Sequence, residues 1–214
     1  MSESPNAPNP ILPTYLVFDE NYLSADRRIA RALGALLERL SHSKDAAAIA
    51  RLATITFSST VTLHTPLQPA HALDAPMVSP AAEPTTHDQL CSYLPELIDH
   101  DLAWFKEAGK PTLRPLLVLA TSSDDPLSSN GSRLFDNDWR YRPNVCLIRS
   151  TPAAAPNEHD LQIFFTLAGT EGSADPQTAL DCVADAIVAV SESITSGSQS
   201  SLRFPQEVPG WVVN

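Results

Sequence analysis

Apolar residues fall along this chain in two alternating patterns: short unbroken runs, and longer stretches where they recur every three or four positions. The first run, Tyr15 to Phe18, lies between Pro13 and Asp19 and predicts a strand over Thr14–Phe18. Ser24 is placed to cap a helix in which Ile29, Leu33, Leu36, Leu37 and Leu40 form one apolar face, ending near Ser41. Leu52–Phe57 and Thr60–His64 read as two strands of a hairpin joined at Ser58-Ser59. From Pro66 to Pro84 five prolines interrupt any period, which predicts a long irregular loop. A second helical face runs from Leu90 to Phe105; Pro95 either kinks it or moves its start to Leu94. Pro115–Thr121 is the most apolar run and predicts a central strand buried on both faces. A short helix is expected over Arg133–Arg140, then strands at Val145–Ile148 and Leu161–Leu167. Pro176 suits the first turn of a last helix, which Leu180, Val183, Ile187, Val190 and Ile194 define.

Strands that alternate with helices, with one early hairpin, imply an α/β fold: about six mostly parallel strands, one antiparallel edge strand, and helices on both faces. The expected division is a polar, disordered leader over 1–12, one domain over 13–196, and a linker and tail over 197–214. Phe204, Trp211, Val212 and Val213 give that tail the means to dock on the domain or on a partner.

With 14 basic and 25 acidic residues the net charge is −11, which argues against nucleic acids and anionic membranes as partners. Cys91, Cys146 and Cys182 are widely spaced and form no metal or redox motif; two of them fall in apolar segments as core thiols. Without a signal-like leader or a membrane-length apolar run, a cytoplasmic location is expected. Seven glycines in the whole chain leave no Gly-rich phosphate loop. His87-Asp88 and His100-Asp101 lie too far apart to share one helical face, and His64 has no partner pattern. Trp104-Phe105 reads as core, whereas Trp139, Tyr141 and Trp211 stand in polar or Pro-rich surroundings that suit partner contacts.

The candidate chemistry centres on Asp19, at the carboxyl end of the first strand, where open α/β sheets place their ligands. The runs Leu12–Asp19, Thr54–Ser58 and Arg114–Thr121, followed by Leu167-Ala168-Gly169 and the Ser-rich end of the last helix, resemble a von Willebrand factor A domain. The similarity spans roughly Ile11 to Ser201, and is greatest to the bacterial subgroup linked with tellurium-resistance and stress operons. It implies a Rossmann-like three-layer fold and a metal-ion-dependent adhesion site, in which three loops hold a divalent cation that a partner's acid completes. Carried over by position, Asp19 matches the first acid, Asn21 and Leu23 stand where two serines are expected, Thr85 or Thr86 supplies the threonine, and Asp124 the last acid. Leu23 cannot ligate, Ser24 is displaced by one residue, and the glycines that precede the threonine are absent, so the site reads as degenerate.

The expectation is therefore a non-catalytic adaptor or scaffold in a bacterial signalling or stress system, with no required cofactor. A Ser/Thr kinase or phosphatase of the same operon would be its partner, met through Glu20, Tyr22 and Ser24. One alternative is a functional Mg2+ or Mn2+ site at Asp19, Asn21, Thr86 and Asp124. The other is a haloacid-dehalogenase-like phosphatase with Asp19 as nucleophile. There Asn21 replaces the expected general acid and the Lys with its acidic pair is missing.

Overall fold

A computed structural model describes residues 8–25, 27–74, 87–122, 133–149, 165–169, 175–198, 201–209 and 211–213. Strand β1, Leu12–Asp19, is buried along its whole length inside the sheet. On one side it pairs in parallel with β2, Ala50–Phe57, and on the other with β4, Leu116–Thr121. Beyond β4 come the parallel strands β5, Asn144–Arg149, and β6, Phe165–Gly169. Two antiparallel strands close the edges: β3, Val61–Gln68, on β2, and β7, Trp211–Val213, on β6. The order is β3-β2-β1-β4-β5-β6-β7, a three-layer α/β/α arrangement of the von Willebrand factor A type. The seventh strand comes from the tail, whose Leu202 and Val208 are also buried against the domain.

Side chains alternate across the pleat and build two cores. One face carries Leu12, Leu16, Phe18, Leu52, Val118 and Ile148. It is covered by α2 (Arg27–His42), α3 (Lys44–Ile49) and α5 (Pro176–Thr195). The other carries Tyr15, Val17, Ile55, Phe57, Leu117 and Leu147 and is covered by α4, Asp88–Glu107. The apolar faces of α2 and α5 are those the sequence predicts, and Pro176 does stand in the first turn of α5, behind an Asp175 cap. Helix α4 runs through Pro95, which is buried inside it, so the helix neither stops nor starts at the proline.

Several expectations are corrected. A six-residue helix, α1 (Glu20–Ala25), follows β1 directly, so Ser24 lies inside a helix and caps nothing. Ser24 donates its hydroxyl to the Asn21 carbonyl, and Asp19 takes the capping role by accepting from the Asn21 N–H. Pro66 is not the start of a loop: β3 continues to Gln68, and a single 3-10 turn, Ala70–Ala72, follows. The helix expected over Arg133–Arg140 contracts to one 3-10 turn at Arg133–Phe135. Residues 75–86 and 161–164 lie outside the described part, as do residues 1–7 of the expected leader. Cys91 and Cys146 are buried free thiols, and burial pushes the Cys146 thiol up. Among the described residues no helix is long and apolar enough to cross a membrane.

Candidate functional site

The site lies where the chain leaves β1 and β4 at their carboxyl ends. The connections from these adjacent strands continue in different directions, the switch point at which open α/β sheets place their ligands. Asp19 is 0% exposed, although it carries a carboxylate. One oxygen, Oδ1, accepts the Asn21 N–H at 2.9 Å. The other, Oδ2, accepts the Thr121 hydroxyl at 3.2 Å, the Ser122 N–H at 3.2 Å and the Ser122 hydroxyl at 2.9 Å. A carboxylate offers about four lone-pair positions. Donors from α1 and from the end of β4 thus take up the acceptor capacity of Asp19 and tie the two strand ends together.

Register extends this knot into a row across the α4 face. Asp19 lies opposite Phe57 on β2, and Thr121 lies opposite Arg149 on β5. The ring of His87, one residue before α4, packs on Phe57 with centroids 5.5 Å apart. His87 is 4% exposed and Arg149 5%, so two cationic residue types are buried at this end of the sheet. Sequence reading missed Arg149, which follows an apolar run as an ordinary flanking charge does. In sequence His87 stands out only as half of a His-Asp pair; in the fold it belongs with Phe57, while His100 is exposed on the surface of α4 beside Asp101.

A second polar chain occupies the opposite face. The Thr56 hydroxyl donates to Glu20 Oε1 at 3.0 Å and lies 2.8 Å from His64 Nε2. That hydroxyl has one proton and gives it to Glu20, so His64 donates its Nε2–H to Thr56. His64 is exposed, on the same face of the sheet as Thr56 and Thr62, and it is the extra residue of a bulge in β3, since Thr54 pairs with Thr65 and Ile55 with Leu63. No local sequence signal marks such a bulge.

Of the predicted contact residues, Glu20 is half-buried and engaged by Thr56, and Ser24 is half-buried. Tyr22 is 7% exposed and belongs to the core under α2, because it follows the helical turn inward together with Leu23. The aromatic expectations also shift. Trp104 is not core but 56% exposed. Trp139 is buried, its indole N–H donates to Asp99 at 2.9 Å, and Arg133 lies over its ring. Of Trp211 only the backbone placement in β7 is described.

Thr85, Thr86 and Asp124, the remaining expected cation ligands, lie outside the described residues. Asp19 is surrounded by donors, Leu23 is buried apolar surface, and no three His, Cys, Asp or Glu side chains converge among the described residues.

No protein-family model and no curated protein sequence matches the chain. Similarity appears at the level of structure. Proximal thread matrix protein 1 from the mussel byssus, in a form with a zinc-occupied MIDAS motif, superposes with a TM-score of 0.57 at 11% identity, over 85% of this chain and 48% of that one. The ArnB paralog VWA2 from Sulfolobus acidocaldarius gives a TM-score of 0.50 at 12% identity, over 84% of this chain and 46% of that one. Both are von Willebrand factor A domain proteins, and this chain spans about half the length of each. At such identities the likeness concerns the fold.

Proposed function

We propose that this chain is a non-catalytic protein-interaction module that presents the carboxyl end of its sheet to a partner without using a bound cation. The observation that carries the reading is the saturation of Asp19 by four protein donors. In a cation site this carboxylate would face the ion, and the neighbouring hydroxyls would offer it oxygen lone pairs. Here the hydroxyls of Thr121 and Ser122 point their protons at Asp19 instead. The same saturation leaves Asp19 poorly placed as a phosphatase nucleophile. A von Willebrand factor A-type fold supports an interaction role at the coarse level.

In this reading the chain is a cytoplasmic adaptor of a bacterial signalling or stress-response system, and its partner is a Ser/Thr kinase or phosphatase. Glu20 and the exposed His64 beside it form the polar part of the contact, in place of Tyr22. The test has two arms. Calorimetric titration with Mg2+ and then Mn2+ is expected to show no saturable binding; saturable binding that Asp19→Ala abolishes would overturn the cation-free reading. Candidate kinases and phosphatases are then measured against wild type and Glu20→Arg in the presence of a chelator. Binding that Glu20→Arg weakens supports the interface; binding that needs the cation, or that ignores Glu20, sinks it.

A further inference from the structure

The amino end of the same sheet carries a separate feature, a pocket of about 410 Å3 beside α5. It lies where the starts of β1 and β5 and the segment that leads into β4 meet α5 and the tail. Its apolar walls are Leu12, Leu113, Val190 and Leu202. Leu12, Val190 and Leu202 belong to the core that α2, α3 and α5 cover, and Leu113 packs against that core. The pocket therefore opens directly off buried apolar surface.

Two polar side chains meet these walls, Arg114 and Asn144. Arg114 is exposed, and its Nε–H donates to the Arg142 carbonyl at 2.8 Å, which anchors the guanidinium and leaves its Nη donors for other partners. It joins no ion pair among the described residues. Asn144 is half-buried: its backbone N–H donates to the Pro115 carbonyl, and its side-chain amide enters no hydrogen bond among the described residues. Among the described residues Arg114 is also the one charged side chain of the wall. Apolar walls with a few convergent polar groups are the usual make-up of a small-ligand site. Here they ask for an apolar body and a single anionic head.

We propose that this pocket binds a medium-chain fatty acid, with the carboxylate at Arg114 and Asn144 and the alkyl chain along Leu12, Leu113, Val190 and Leu202. The charge decides between oxyanions: one guanidinium balances one carboxylate, whose two oxygens its fork can meet as a pair. A phosphate monoester carries about −1.5 to −2 near neutral pH. It would leave excess negative charge on a chain whose net charge is already −11. The alkyl chain supplies most of the affinity, since each CH2 that leaves water strengthens binding roughly fourfold. The volume falls within the usual range for small-ligand sites, roughly 300–1,000 Å3. The pocket lies at the opposite end of β1 from Asp19, so it does not depend on how the carboxyl end meets a partner.

The experiment is calorimetry of the full chain with hexanoate, octanoate and octan-1-ol, each kept below the concentration at which it aggregates. Saturable binding of octanoate is expected, with hexanoate weaker by roughly tenfold for its two missing CH2 groups. Octan-1-ol, which has the chain without the charge, should also bind roughly tenfold or more weakly than octanoate. Arg114→Gln should weaken octanoate by a similar factor and leave octan-1-ol unchanged. Ser201→Trp, at an exposed position on the pocket wall, should fill the space and weaken both. Arg31→Gln, an equal charge change on the exposed surface of α2, should alter neither. Circular dichroism confirms that each variant is folded. The proposal is overturned by no saturable binding of octanoate, by octan-1-ol binding as tightly as octanoate, by Ser201→Trp leaving both probes unaffected, or by Arg31→Gln weakening octanoate as much as Arg114→Gln does.

Discussion

The two ends of the sheet handle charge in opposite ways. At the carboxyl end a buried acid is fully answered from within: Asp19 collects donors from α1 and from the end of β4. At the amino end Arg114 and Arg142 come close with like charge, and the Arg114 Nε–H donates to the Arg142 carbonyl. Polar residues whose needs are met inside the fold are structural, whatever motif they resemble. The conspicuous Asp19 is thus a poor guide to ligand binding, because its oxygens already serve the fold.

The sharpest way to break this contrast is to remove the acid. Asp19→Ala leaves several buried donors without an acceptor and should cost about 3 kcal/mol or more in urea unfolding. Asp19→Asn keeps the shape and one acceptor oxygen and should cost less. If Asp19→Ala unfolds at nearly the wild-type urea midpoint, the carboxylate is not a clamp and is free for other chemistry.

A smaller effect is expected at Tyr15, whose buried hydroxyl donates to Asp101 at 3.1 Å. Tyr15→Phe should cost about 1.5 kcal/mol. Burial raises the Asp101 carboxyl above its ordinary 3.8, and its hydrogen bonds from Tyr15 and His100 pull partly the other way. The folded chain therefore holds this proton more tightly than the unfolded one, and stability falls as pH rises from 3.8 through the raised value. Asp101→Asn retains an oxygen for Tyr15 and should remove that slope, so its advantage over wild type grows with pH across the window. A difference that stays constant with pH contradicts the assignment.

Smaller again is Thr14→Val. The Thr14 and Thr54 hydroxyls are buried in the sheet without hydrogen-bond partners among the described residues. Loss of one hydroxyl at constant shape should raise stability by about 1 kcal/mol, read as a higher urea midpoint. The smallest effect belongs to the amino end: Arg140→Gln should change folding stability by no more than about 0.5 kcal/mol. A large loss there would mean that the arginines are structural too, and the contrast between the ends would collapse.

Much of the fold is legible along the chain because its signals are local. The period of α2, the continuous apolar run of β4 and the Pro176 start of α5 each depend on neighbours in sequence. What escaped depends on partners distant in sequence. The pairing of Trp211–Val213 with β6 is set by contacts more than forty residues away in the chain. The inward turn of Tyr22 reflects α2 packing above it. Arg114 and Arg142 meet only after β4 and β5 pair, since they are 28 positions apart. Asp19 itself was found from sequence, but its role was not. A metal ligand and a helix cap use the same residue type in the same place, and only the direction of the surrounding hydrogen bonds separates them.

The bulged edge has one more consequence. Strand β3 departs from regular pairing twice, once around Pro66 and once at His64. Pro66 has no N–H to offer, and at His64 the spacing of the ladder is broken. Thr62, His64 and Pro66 all face solvent, yet a second chain laid alongside would find no regular row of donors and acceptors to match. This side of the molecule is thereby guarded against edge-to-edge stacking in concentrated solution. A protein that docks near His64 must come by side chains, and cannot extend the sheet as an added strand.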